Sequence, residues 1–217
     1  MHAGGIACLV DLLLNQRTGP HENATRATWC LANTVDHQMG VARAGAIAPL
    51  VNLLETGSPA TQEHAAAAVE ALARGSDENQ TSLAKARAIS PLVALLASES
   101  SATQQHAVGA LLFLASHTDS KASHAVIRQL VDVLDNRNAS AAMKSASALA
   151  VLAARSASNR TAIFQAKAVP PLVRLGSEER ASQQVACTIL GYVLTHWSVH
   201  CVCRTGAPPR RRPEGRG

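Results

Sequence analysis

An apolar figure of eight residues recurs five times along this 217-residue chain, and the spacing between its copies limits the folds open to it. Ile6, Leu9, Val10 and Leu13 return as Ile47, Leu50, Val51 and Leu54, as Ile89, Leu92, Val93 and Leu96, and as Ile127, Leu130, Val131 and Leu134. The fifth copy reads Val169, Leu172, Val173 and Gly176. From one central Leu to the next the steps are 41, 42, 38 and 42 residues. Periods of this length belong to stacked helical repeats, in which each unit buries its apolar face on its neighbours and length counts units. The offsets i, i+3, i+4 and i+7 put each figure on one stripe of an amphipathic helix.

A second helix follows each figure after about ten residues, with the stripe Ala24, Ala27, Leu31. Its later copies are Ala65, Ala68, Leu72, then Ala107, Ala110, Leu114, then Ser145, Ala148, Leu152, and finally Ala186, Ile189, Val193. In the first four copies 22 residues separate the central Leu from the closing Leu; the fifth is one shorter, and Gly176 marks the deletion. Pro20 and Pro59 precede these second helices, where a first-turn proline is tolerated, and Pro49, Pro91 and Pro171 stand near the start of the first. Gly5 and Gly45 fall at the corner ahead of a first helix. A third, shorter helix fits residues 38–43, 79–85 and 159–167, and in the fourth unit it shrinks to 120–124, which accounts for the step of 38.

Composition agrees with helix on helix. Apolar residues make up 47% of the chain but aromatics only 2%, so helices must approach closely over Ala, Leu and Val. The net charge of +5 is concentrated at the end, where Arg204, Arg210, Arg211, Arg212 and Arg216 oppose Glu214. The repeat body is near neutral, which restricts any nucleic-acid contact to that basic tail. Cys8, Cys30, Cys187, Cys201 and Cys203 are odd in number and read as reduced thiols, small and buried as hydrophobes, in a cytoplasmic or nuclear protein. Cys201 and Cys203 have no second ligand pair, so no metal is expected. No apolar run reaches the ~18 residues of a membrane span. Asn23, Asn79, Asn138 and Asn159 head glycosylation tripeptides but read as helix-start residues.

The figure Gly45-Ala46-Ile47-Ala48-Pro49-Leu50-Val51-Asn52-Leu53-Leu54 resembles the repeat of the armadillo family, and Ala88-Ile89-Ser90-Pro91-Leu92-Val93-Ala94-Leu95-Leu96 repeats it. The resemblance covers about residues 4–196. It implies an all-α fold, a right-handed superhelix of about five three-helix repeats, in which the helices bearing the Ala-Ala-Leu stripe line a concave groove. The units divide as 1–35 (a partial first repeat), 36–76, 77–117, 118–155 (with the shortened first helix) and 156–198, followed by a disordered basic tail over 199–217. The chain starts almost inside a helix with no polar cap, which leads us to expect part of a longer array or a chain that pairs with another.

The resemblance also implies a site. Trp29 and Asn33, four apart on one helical face, are similar to the groove ladder of nuclear-import adaptors, where Asn bonds a peptide backbone and Trp packs side-chain stems. Later copies replace the Trp by Glu70, Leu112, Ala150 and Gly191, and the Asn by Arg74, Ser116, Ala154 and Thr195. One rung in five does not grip an extended signal peptide, and a Trp29 that merely covers a terminal repeat is the plainer reading. Glu70 and Arg74 also have the spacing of an intrahelical ion pair. The nine His form no metal set; His64 and His106 occupy equivalent repeat positions and are read as inherited surface features rather than a converging pair. No nucleophile triad or phosphate loop is present, and neither an enzyme nor a cofactor is expected.

The function expected is therefore a non-enzymatic scaffold that holds an extended or helical segment of a protein or peptide partner in its groove, through Trp29, Asn33, Glu70, Arg74, Leu112 and Ser116. No small-molecule substrate is expected. A substrate-binding segment of a ubiquitin ligase, with its catalytic domain outside this chain, is the alternative that the family raises.

Overall fold

The structure, a computed structural model, describes residues 3–14, 18–116, 120–135, 138–178 and 180–205. Thirteen α-helices, one 3-10 turn and no strand are found among them. The first unit contributes α1 (Ala3–Leu14) and α2 (Thr18–Leu31). The second is complete, with α3 (Val35–Arg43), α4 (Ile47–Thr56) and α5 (Pro59–Gly75). The third has α6 (Asp77–Lys85), α7 (Ile89–Ala94) with the 3-10 turn Leu95–Ala97, and α8 (Ser101–Ser116). The fourth has only α9 (Ser120–Leu134) and α10 (Ala139–Arg155). The last comprises α11 (Ala157–Gln165), α12 (Val169–Glu178) and α13 (Arg180–Thr205).

The corner between the first two helices of a unit is built the same way three times. Gly45 (φ 88°), Arg87 (φ 62°) and Lys167 (φ 61°) take the left-handed conformation. Behind each, two amides turn back on the ending helix: Gly45 N donates to Ala42 O and Ala46 N to Val41 O, and the bonds recur as Arg87 to Ala84 with Ala88 to Leu83, and as Lys167 to Phe164 with Ala168 to Ile163. This is a Schellman motif, and its apolar closing residue, Ala46, Ala88 or Ala168, is fully buried.

Polar clamps fasten one unit's last helix to the next unit's first. Asn79 Nδ2 donates to Leu72 O at 3.2 Å, and its counterpart Asn159 donates to Leu152 O at 3.1 Å. Gln80 and Arg160 likewise reach Ala73 O (2.8 Å) and Ala153 O (3.0 Å). Ser76 and Ser156 cap the helices that carry these residues. Asn79 and Asn159 are thus buried and bonded rather than available to a sugar, and Asn138 caps α10 through Ala141 N.

The expected stripes form one continuous core. Leu50, Leu92, Leu130 and Leu172, and the closing Leu72, Leu114 and Leu152, are all but inaccessible. Ala65, Ala68, Ala107, Ala110, Ser145 and Ala148 are equally buried, so small side chains let the last helices of successive units lie close together. Those helices form a row in which α2 packs on α5, α5 on α8, α8 on α10 and α10 on α13.

Three expectations are corrected. The fourth unit does not keep a separate shortened helix over 120–124, because the run Ser120–Leu134 has no corner residue and continues as a single helix. Helix α13 extends to Thr205, so residues 199–205 are not disordered tail; the first helix breakers after Arg180 other than Gly191 are Gly206 and Pro208. Cys8, Cys30 and Cys187 are free but exposed, not buried, since each lies off its helix's apolar stripe. The remainder of the basic tail, His117 and the first two residues lie outside the described residues.

Candidate functional site

The exposed side of the row begins at Trp29 in the last turn of α2, half-buried against the core. Its ring stacks on His64 of α5 (centroids 6.0 Å apart, planes 16° apart) and meets His106 of α8 edge-on, also at 6.0 Å. The two histidines therefore converge on one indole, contrary to the reading of them as inherited surface features rather than a converging pair. Their equivalence is what brings them together, because adjacent repeats place the same position side by side.

From His106 the contacts run on through charge. His106 Nδ1 donates to Glu70 Oε2 at 2.8 Å, and Arg74 Nη2 donates to Glu70 Oε1 at 3.1 Å. The Arg74 guanidinium in turn lies 5.6 Å from the centre of the Phe113 ring on α8. Glu70 has room for this because a Cβ at Gly109 would stand 2.5 Å from its Oε1. Trp29, His64, His106, Glu70, Arg74 and Phe113 thus make one connected surface across three repeats. The sequence reading found three of these six. His64 was signalled by its repeat equivalence to His106, whereas nothing in the pattern marked Phe113 or the space at Gly109.

The remaining expected residues are less closely joined. Helix α2 ends at Leu31, and Asn33 sits exposed in the turn that leads to Thr34, the residue ahead of α3. It does not continue the helical face of Trp29, because α3 begins only two residues later and the chain must reverse. Leu112 is half-buried on α8 beside Phe113. Ser116 is exposed, and its hydroxyl is turned back onto Leu112 O (2.7 Å) and Phe113 O (3.0 Å). Further along the row the positions equivalent to Trp29 and its neighbour lose polarity: Ala150 and Val151 follow on α10, and Gly191 and Tyr192 on α13. Val151 and Tyr192 are each 39% exposed.

No group of His, Cys, Asp and Glu able to hold a metal occurs among the described residues, and no helix there is long and apolar enough to cross a membrane.

Comparison with known proteins follows the same lines. The chain folds as a right-handed solenoid of stacked helical repeats, with three helices in the second, third and fifth units. Residues 40–74 and 76–115 match the family described as Armadillo/beta-catenin-like repeat, and the chain resembles armadillo repeat proteins in both sequence and fold. Among solved structures, a designed armadillo repeat protein in complex with peptide (KR)4 is 28% identical and covers 88% of this chain and 82% of its own, with a TM-score of 0.68. Computationally designed armadillo repeat proteins for modular peptide recognition are similar at 28% identity, with 87% and 82% covered and a TM-score of 0.67. An engineered protein 29% identical, of which 48% is covered against 88% of this chain, has a TM-score of 0.66. No curated protein matches the sequence.

Proposed function

We propose that the chain is a non-enzymatic binding scaffold that holds a segment of a protein partner along the row of α2, α5, α8, α10 and α13. The observation that carries this reading is the connected surface from Trp29 to Phe113. It places an indole, two imidazoles, an ion pair and a phenyl ring side by side on three repeats, with its half-buried side chains ordered by each other. Preordered aromatic and Arg groups are the residue types that anchor partners at interfaces. The similarity to a designed armadillo protein bound to a peptide supports the same reading. Three exposed free thiols favour a reducing compartment, the cytoplasm or nucleus.

A nuclear-import type of peptide grip gains no support from the row. The positions equivalent to Asn33 hold Arg74, Ser116 and Ala154, and the Ser116 hydroxyl is occupied by its own helix. Periodic bonding to an extended backbone needs amides that are absent there.

The test is capture of partners by the full chain, compared with a variant carrying Trp29→Ala, Glu70→Ala and Arg74→Ala. Capture is expected to be lost while helicity and the melting transition stay close to those of the parent. Equal capture by the two proteins would remove the row from consideration as the binding face.

A further inference from the structure

Charge along the row is distributed unequally, and it selects the partner. Helix α2 carries the exposed Glu22, and α5 supplies two further carboxylates that are not buried, both of them hydrogen-bonded. Glu70 accepts from Arg74 and His106, and Glu63 accepts from Ser100 Oγ at 2.8 Å. Helices α8, α10 and α13 contain no Asp or Glu at all. Cations are present: Arg74 keeps 59% of its side chain exposed beside Glu70, and α10 carries Lys144 and Arg155. Lys144 stands one repeat beyond His64 and His106 at the same position, so it extends the line that those two make at Trp29. Neither Lys144 nor Arg155 has an ion-pair partner among the described residues.

Between Arg74 and Lys144 the surface is apolar. Leu112, Phe113, Ala150 and Val151 lie on α8 and α10 with no charged residue among them. Two steps between neighbouring helices at about 8–10 Å each separate α5 from α10. A helical partner crosses about 20 Å in roughly 13 residues, satisfies its own backbone and needs only side-chain contacts. That suits a surface without backbone-reading amides.

We propose that the partner segment is an acidic amphipathic helix, its apolar face on Leu112, Phe113, Ala150 and Val151 and its carboxylates at Arg74 and Lys144. This rests on the row being the binding face and specifies what that face accepts. A basic segment meets the unpaired Lys144 and Arg155 and no carboxylate on α8 or α10. The chain's own Arg210-Arg211-Arg212 has the wrong sign for the same reason.

The experiment uses the full chain and a displayed library of random peptides of about 16 residues, long enough as helices to cover about 24 Å. Selected peptides are then measured against Lys144→Glu, Val151→Glu and, as a control on the far side of the array, Arg128→Glu of α9. The expected result is enrichment of Asp and Glu with apolar residues at i, i+3 or i+4, and i+7. Affinity should fall at least about tenfold with either row variant and be unaltered in the control. Enrichment of Lys- and Arg-rich or Pro-rich extended peptides that still respond to the row variants overturns the acidic helix and leaves the row as the binding face. No enrichment, or peptides indifferent to both row variants, overturns the two together. Circular dichroism and melting of each variant separate loss of binding from loss of fold.

Discussion

Glu70 accepts hydrogen bonds from two different helices, and it holds that place because Gly109 has no side chain. In an ordinary exposed helix, Gly→Ala adds about 0.5–1 kcal/mol of stability. At Gly109 the new methyl would displace the Glu70 carboxylate from His106 and Arg74, so Gly109→Ala is expected to yield less than that gain. Thermal melting of Gly109→Ala in the parent and in a Glu70→Ala background checks this, and the full gain should return only in the second. The Glu70 and Arg74 pair is a weaker contributor. Since Arg74 is mostly exposed, a double-mutant cycle by chemical denaturation should give a coupling of about 0.3–0.5 kcal/mol that shrinks with added salt. The role of these residues in the row therefore lies in arranging a surface more than in stabilising the fold.

At the scale of the helix and its corner, the repeats solve one turn with three different residues. Left-handed backbone costs a residue with a Cβ about 1–2 kcal/mol, and only Gly45 avoids this. Replacing Arg87 or Lys167 by Gly is expected to stabilise the chain by up to about 1 kcal/mol, less the extra freedom glycine has when unfolded, whereas Gly45→Ala should destabilise it by about 1 kcal/mol. Urea unfolding of the three variants tests the sign at each corner. The clamps are costlier to lose. Asn79→Ala or Asn159→Ala leaves the Leu72 or Leu152 carbonyl without its side-chain donor in a buried place, at a cost of about 1–3 kcal/mol. The sequence announced Gly45 as a corner because glycine is the usual residue there. Arg87 and Lys167 were legible only through their register with it, and Asn79 and Asn159 showed as helix-start residues without any sign of what their amides grasp.

Across the whole molecule, the apolar stripes were readable because burial in a stack repeats with the chain's own period, and Leu50, Leu92, Leu130 and Leu172 had only to be counted. The row was readable in part. Glu70 with Arg74 shows as a spacing within one helix, but the contacts of Trp29 with His106 and of Arg74 with Phe113 join different repeats, where no sequence offset specifies how two side chains meet. Stability in such a stack is a sum over neighbours. Helix α5 has Ala65 to Val69 and Ala71 to Ala73 buried with packed helices on both sides, while α1 leaves Leu14 61% exposed and α12 leaves Val173 56% exposed. Amide exchange should accordingly be slowest in α5 and α8 and faster towards α1 and α12, a gradient that mass spectrometry can read along the chain.

The missing corner of the fourth unit has a mechanical consequence. In the second, third and fifth units a first and a second helix meet at a left-handed residue, where the helical hydrogen-bond ladder is interrupted, but α9 crosses that place as an unbroken rod of 15 residues. Under tension or torque the array should therefore flex unevenly, with its jointed second, third and fifth units yielding first and α9 transmitting the load between them.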